Sequence, residues 1–169
     1  MLNILKSRLI KGVVTRTIEP AQAQEIAALG AELESLIHKR FRRSLAIREV
    51  DTGSCGACES EIIAANNPIY DLQRFGIQFV ASPRHADALL VTGPVSRNML
   101  TALKSTYDAM PAPKFVITCG DCALDGGVFK DSYYVAGAVK AILPVTLHIP
   151  GCPPSPLSIL RALVAFLKR

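Results

Sequence analysis

All five cysteines of this 169-residue sequence fall in three short breaks, and each break directly follows an apolar run. The first is Val50-Asp51-Thr52-Gly53-Ser54-Cys55-Gly56-Ala57-Cys58-Glu59-Ser60-Glu61, a glycine-rich turn that leads into a helix-like segment. The second is Thr118-Cys119-Gly120-Asp121-Cys122-Ala123-Leu124-Asp125-Gly126-Gly127, and the third is Ile149-Pro150-Gly151-Cys152-Pro153-Pro154-Ser155-Pro156. Loops that follow parallel strands gather at one end of the sheet, which is where open α/β sheets place their ligands. A fold of that kind brings thiols that are far apart in sequence within reach of one another.

The rest of the sequence supplies the alternation such a fold needs. Ile26, Leu29, Leu33, Leu36 and Ile37 follow helical spacing between Ala21 and Arg40. Leu45–Val50 reads as the first strand, Glu59–Asn66 as a helix and Gly76–Val80 as a second strand. Ala88–Thr92 reads as a fully buried strand that ends at Gly93-Pro94. Ser96 is expected to cap a helix from about Arg97 to Tyr107, and Met110-Pro111-Ala112-Pro113 to break it. Lys114–Thr118 and Pro144–Ile149 are strands that deliver the second and third cysteine breaks, and Pro156–Lys168 is a closing helix. The order predicts an α/β fold: a flavodoxin-like, doubly wound, mostly parallel sheet over 44–169, with an N-terminal basic, amphipathic helical extension over 1–43. Within that extension, Leu2, Leu5, Leu9 and Val13 suggest a short amphipathic helix that packs on its own domain or lies on a partner or a membrane surface.

The chain is long enough for one domain with a substantial core. No run reaches the about 18 to 20 apolar residues of a membrane span, and no apolar leader follows the basic start, so a cytoplasmic protein is expected. The net charge of +5 is concentrated in Lys39, Arg40, Arg42 and Arg43 with Lys6, Arg8, Lys11 and Arg16. This is a solvated face or a contact for an acidic partner or anionic headgroups. Nucleic acid is not expected, because the sequence has no Trp and no stacking motif.

An odd number of cysteines in a reducing compartment argues for metal ligation over disulfides. C-x-x-C alone serves zinc, dithiol redox chemistry and iron–sulfur clusters equally. A structural zinc module is disfavoured because about 60 residues separate the two pairs. A thiol oxidoreductase leaves Cys152 without a purpose, and a nucleotide-binding domain needs a phosphate loop where the first cysteines stand.

Taken together, Cys55-Gly56-Ala57-Cys58-Glu59-Ser60-Glu61, Gly120-Asp121-Cys122-Ala123-Leu124-Asp125-Gly126-Gly127 and Pro150-Gly151-Cys152-Pro153-Pro154 resemble the cluster-binding domain shared by [NiFe]-hydrogenase small subunits and the 20 kDa iron–sulfur subunit of respiratory complex I. Ser82–Gly93 resembles in particular the small subunits of membrane-bound, energy-conserving hydrogenases of the formate hydrogenlyase type. The resemblance covers about residues 44–169 and implies one [4Fe–4S] cluster held by Cys55, Cys58, Cys122 and Cys152. Cys122 matches the family ligand that precedes a Gly-Gly pair by three residues, which leaves Cys119 as a buried structural residue or, less commonly, a thiol for ligand exchange or oxidation sensing. Complex I subunits carry adjacent cysteines in the first loop, whereas two residues separate Cys55 and Cys58, as in hydrogenases. Soluble uptake hydrogenases add a C-terminal region with further clusters, and no cysteine follows Cys152.

The implied function is therefore an oxidoreductase subunit that relays electrons between a ferredoxin-like iron–sulfur subunit and the active site of a large subunit. Membrane-embedded subunits would hold the complex on the cytoplasmic side of the membrane. The runner-up is a complex I-like, quinone-reducing assembly without nickel. Glu61 stands where the family has an acid close to the cluster; it tunes the potential or moves protons, or it forms an ion pair with a partner or with Arg84. His148 is a sheet-edge residue or a hydrogen-bonding neighbour of the cluster, and Arg84 and His85 fix the turn before Asp87 or serve an interface.

Overall fold

The computed structural model describes residues 20–169, with Lys6, Ile10 and Gly12. The amphipathic helix expected over residues 1–20 lies outside the described residues. Among the described residues, seven strands run as β1 (Leu45–Asp51), β2 (Ile77–Phe79), β3 (Ala88–Thr92), β4 (Val95–Ser96), β5 (Phe115–Cys119), β6 (Val135–Gly137) and β7 (Val145–Ile149). Helices are α1 (Pro20–Phe41), α2 (Ala57–Ala65), α3 (Leu100–Ala109), α4 (Asp121–Asp125), α5 (Val139–Ile142) and α6 (Pro156–Leu167).

The main sheet has the order β2-β1-β3-β5-β7, and every pairing in it is parallel. This is the flavodoxin-like doubly wound order, with β4 and β6 forming a separate antiparallel pair. Register aligns Asp51 with Thr92, Thr92 with Cys119, and Cys119 with Ile149. The last residues of four neighbouring strands thus form one row, and the loops that leave them start side by side.

Both faces of the sheet are covered. Ile47, Leu90, Ile117 and Ile149 pack under α1, α2 and α6 on one side, while Val50, Leu89, Val91 and Val116 pack with Leu103 of α3 and Val139 of α5 on the other. Every residue of β3 is buried, as a central parallel strand requires. Helix α1 contributes Ile26, Leu33 and Ile37 to the first of these cores, so the residues before 43 share a core with those after it. It also pairs Glu25 with Arg161 of α6 and Glu32 with Lys168 at the C-cap of that helix, the latter at 2.8 Å.

The helix expected after Ser96 starts later. Ser96 belongs to β4 and is buried, its N–H donates to the Thr52 carbonyl at 2.8 Å, and Met99 occupies the N-cap of α3. The short elements β4, β6, α4 and α5 carry no periodicity of their own and are not visible in the sequence pattern.

At the N-terminal ends of the strands, Asp87 accepts both prongs of the Arg43 guanidinium, at 2.6 and 3.0 Å, and the Ala46 N–H at 3.0 Å. Arg84 and His85 sit in a 3₁₀ turn, Pro83–His85, at this end, away from the cysteine loops.

Candidate metal centre

Each cysteine loop is shaped by backbone hydrogen bonds to short side chains. In the first, the Asp51 carboxylate accepts the N–H groups of Gly53 and Ser54, each at 2.8 Å, and the Gly56 N–H donates to Ser54 Oγ at 2.9 Å. The buried Thr52 hydroxyl faces the carbonyls of Thr92, Gly93 and Pro94 at 2.8 to 3.2 Å, which ties this loop to the one after β3. Gly93, at φ +68°, lies so close to the first loop that a Cβ would stand 2.5 Å from the Ser54 nitrogen.

The second and third loops are stapled by Asp121. Its N–H donates to the Gly151 carbonyl at 3.0 Å, and its Oδ1 accepts the Gly151 N–H at 3.0 Å. His148 extends the link: Nδ1 lies 3.0 Å from Thr118 Oγ1 and Nε2 lies 3.6 Å from Asp121 Oδ1. The Cys152–Pro153 peptide is cis, and Ser155 caps α6 by accepting the Ser158 N–H at 3.2 Å.

These loops bring Cys55, Cys58, Cys122 and Cys152 to the wall of one recess at the C-terminal edge of the sheet. Pro94, Phe129 and Pro153 supply apolar wall between them. Two glycines leave the cysteine sulfurs their room. A Cβ on Gly120, at φ +85°, would stand 2.6 Å from Cys58 Sγ, and one on Gly127 would stand 2.8 Å from Cys122 Sγ. Both positions need hydrogen in place of a side chain. Cys119 is elsewhere: it is fully buried at the end of β5, among the core residues under α2 and α6.

The thiols perturb one another. The neighbouring Cys119 thiol pulls the Cys58 thiol below its usual range, against burial and the charges of Glu59, Asp121 and Glu61. Cys58 and burial push the Cys119 thiol far upward. Burial and the neighbouring Cys152 raise Cys122.

Among the described residues, no three His, Cys, Asp or Glu side chains form a group able to hold a single metal ion. A tetrahedral zinc site needs its sulfurs about 3.8 Å apart, given Zn–S bonds of about 2.3 Å. A cubane binds each thiolate at a different iron and takes a wider set, so four thiols around one recess fit an iron–sulfur cluster.

Other functional features were not evident from the sequence. Burial, then the charges of Glu59 and Asp51, raise the Glu49 carboxyl, opposed by Arg48. Both Glu59 oxygens are buried without a partner. Asp121 had a signal, since Gly-Asp is a turn pair and a short carboxylate caps nearby backbone N–H groups. Glu61 is half-buried on α2 and makes no ion pair with Arg84 or any other described residue.

No helix among the described residues is long and apolar enough to cross a membrane. Residues 55–166, which include all five cysteines, match the family model described as NADH ubiquinone oxidoreductase, 20 Kd subunit. The probable membrane-bound hydrogenase subunit mbhJ of Pyrococcus furiosus is 46% identical over 131 residues, 78% of each chain. Formate hydrogenlyase subunit 7 of Escherichia coli is 42% identical over 161 residues, 95% of this chain and 60% of that one. Among solved structures, a chain of the membrane-bound sulfane sulfur reductase, an archaeal respiratory membrane complex, superposes with a TM-score of 0.67 at 31% identity, over 79% of this chain and 73% of that one. An NAD+-reducing [NiFe]-hydrogenase shares the fold at a TM-score of 0.58 and 18% identity. A family model that spans most of the sheet and all three cysteine loops, together with these relatives, identifies the chain as a member of the NADH ubiquinone oxidoreductase, 20 Kd subunit, family, whose members are oxidoreductase subunits.

Proposed function

We propose that this chain is the electron-transfer small subunit of a membrane-bound [NiFe]-hydrogenase and holds one [4Fe–4S] cluster through Cys55, Cys58, Cys122 and Cys152. The observation that carries this reading is the meeting of these four thiols, from three loops, at one recess. When bound, the cluster supplies one-electron redox chemistry. The chain's own residues hold it: Asp51 and Ser54 set the first ligand loop, Asp121 fixes the third against the second, and Gly120 and Gly127 give the sulfurs room. Cys58 opens α2, whose first turn has N–H groups that no intrahelical carbonyl takes up and a dipole that favours negative charge.

The partners on this reading are a hydrogenase or complex I-like large subunit, a ferredoxin-like iron–sulfur subunit and membrane-embedded subunits, on the cytoplasmic side of the membrane. The names of the P. furiosus and E. coli relatives support the hydrogenase branch. The second reading, a complex I-like assembly without nickel, draws on the family model itself and on the 44% identity over 113 residues to an NADH-quinone oxidoreductase subunit of Citrifermentans bemidjiense.

Anaerobic purification of the chain with its native partners, followed by nickel analysis and a hydrogen-oxidation assay, separates the two. Nickel that tracks a co-purifying larger subunit, with hydrogen-dependent dye reduction, is expected. Iron and sulfide without nickel or hydrogen turnover would move the chain to the quinone-linked branch.

A further inference from the structure

The tightest run of basic residues, Lys39-Arg40-Phe41-Arg42-Arg43, lies at the end of the sheet opposite the cysteine loops. Helix α1 ends in His38, Lys39 and Arg40, and Arg42 and Arg43 lead from it into β1. The Arg40 guanidinium lies 5.8 Å from the centre of the Phe166 ring, which sets this turn beside the last turn of α6. Arg43 reaches Asp87, just before β3, and Arg84 stands in the 3₁₀ turn ahead of it. Lys39, Arg40, Arg42, Arg43 and Arg84 are all exposed, and of these only Arg43 meets a carboxylate among the described residues. The acids near them are Glu34 and Asp108, besides Glu32 and Asp71, which pair with Lys168 and Arg74. Folding does not ask for this charge. Arg42 follows α1 at φ +56°, where its N–H closes the helix on the His38 carbonyl at 3.0 Å. Glycine or asparagine takes that conformation at lower cost, so arginine is held there against backbone preference. The cysteine end has the opposite character. Its three breaks hold Asp51, Glu59, Glu61, Asp121 and Asp125 and no lysine or arginine, and the exposed aromatics Phe129, Tyr133 and Tyr134 follow the second of them.

We propose that this basic end is a docking surface for anionic phospholipid headgroups, so that the chain itself touches the membrane and turns its cysteine loops away from it. The function proposed above leaves membrane attachment to other subunits; this inference goes beyond it and does not depend on the cluster. Charge complementarity carries it. A surface of anionic headgroups attracts lysine and arginine side chains that come within a Debye length of it. A protein partner favours other chemistry, since the centres of protein interfaces are rich in Tyr, Trp and Phe and depleted of charge. Those aromatics lie at the cysteine end. The acids of that end are repelled by the same headgroups, so charge also sets the orientation and leaves the recess open to redox partners.

The test is flotation of the purified full chain with phosphatidylcholine vesicles, with and without about one-third phosphatidylglycerol, at about 0.1 M and about 0.5 M salt. Wild type is compared with Arg42→Gln/Arg84→Gln and with Lys130→Gln/Lys140→Gln, which removes the same charge from elsewhere on the surface. Lys39→Gln/Arg84→Gln, which leaves the Arg42 turn intact, is a second variant of the same face, and circular dichroism checks that each variant folds. Wild type is expected to float only with the anionic vesicles and to be released by salt. Affinity falls about 25-fold in both variants of the basic face, at about fivefold per residue removed, and stays within error of wild type in Lys130→Gln/Lys140→Gln. Equal flotation with both kinds of vesicle overturns the inference, and so does an equal loss in the face and control variants, which assigns binding to net charge. Undiminished binding by both face variants overturns it and moves the contact to the basic residues before α1. Absence of flotation overturns it and leaves an acidic protein as the partner of this end. None of these outcomes depends on iron or nickel content, so failure here is distinct from failure of the function proposed above.

Discussion

The two ends of the same parallel strands are built on opposite principles. At the N-terminal end, a side chain clamp closes the sheet: Arg43 forks onto Asp87, and Asp87 reaches the Ala46 backbone. At the C-terminal end the contacts are between backbone and short polar side chains, and glycines occur wherever two loops or a sulfur come close. One end fixes strand order with charge; the other holds three loops around thiols and leaves their sulfurs unencumbered. Stability and chemistry are thus segregated along a single set of strands, and damage to either end should have a distinct signature.

The largest effect is expected at the thiols. Serine at Cys55, Cys58, Cys122 or Cys152 should abolish cluster incorporation, read as iron and acid-labile sulfide per chain and by paramagnetic resonance of the reduced sample. Next is Gly120→Ala, whose Cβ meets Cys58 Sγ at 2.6 Å in a backbone conformation with φ +85°. It should lose most of its iron, and retention at the wild-type level would show that the sulfur has slack the geometry does not give it.

At the other end, Asp87→Ala should lower stability by about 2 kcal/mol, through loss of charge-assisted bonds to a carboxylate whose side chain is only 13% exposed. Arg43→Ala should cost under about 1 kcal/mol, since its own side chain is 60% exposed. Denaturant titration measures both, and neither should change iron content; if Asp87→Ala strips the cluster, the two ends are coupled.

The smallest effect concerns Glu49, whose carboxyl is raised by burial and by Glu59. A carboxyl raised in the folded state favours folding below its unfolded pKa and loses that contribution as pH rises through the folded value. Glu49→Gln should therefore raise the melting temperature modestly at pH 7, with the gain fading as pH falls through the raised carboxylate range. A gain independent of pH would assign it to packing rather than charge.

How far the sequence alone revealed this molecule follows from where local signals exist. Ala88–Thr92 is an unbroken apolar run and forms β3 with those bounds. Helix α1 repeats Ile26, Leu33 and Ile37 on one face, but periodicity does not say that this face packs with Leu160 and Leu163 of α6. Ser96 misled because a serine before a helical stretch resembles a cap, while tertiary pairing with Thr52 draws it into β4. For the site, the C-x-x-C spacing exposed the thiols, and their meeting followed from strand order. The Asp121 staple joins residues from different loops. Nothing local in the sequence announces that link.

The measurement that bears most directly on the central claim is metal and sulfide content of the anaerobically purified chain, beside its Cys122→Ser and Cys119→Ser variants. About four iron and four sulfide in wild type and in Cys119→Ser, with loss of both in Cys122→Ser, is the predicted result. Zinc without sulfide in the wild type, or loss of iron in Cys119→Ser but not in Cys122→Ser, would contradict the account.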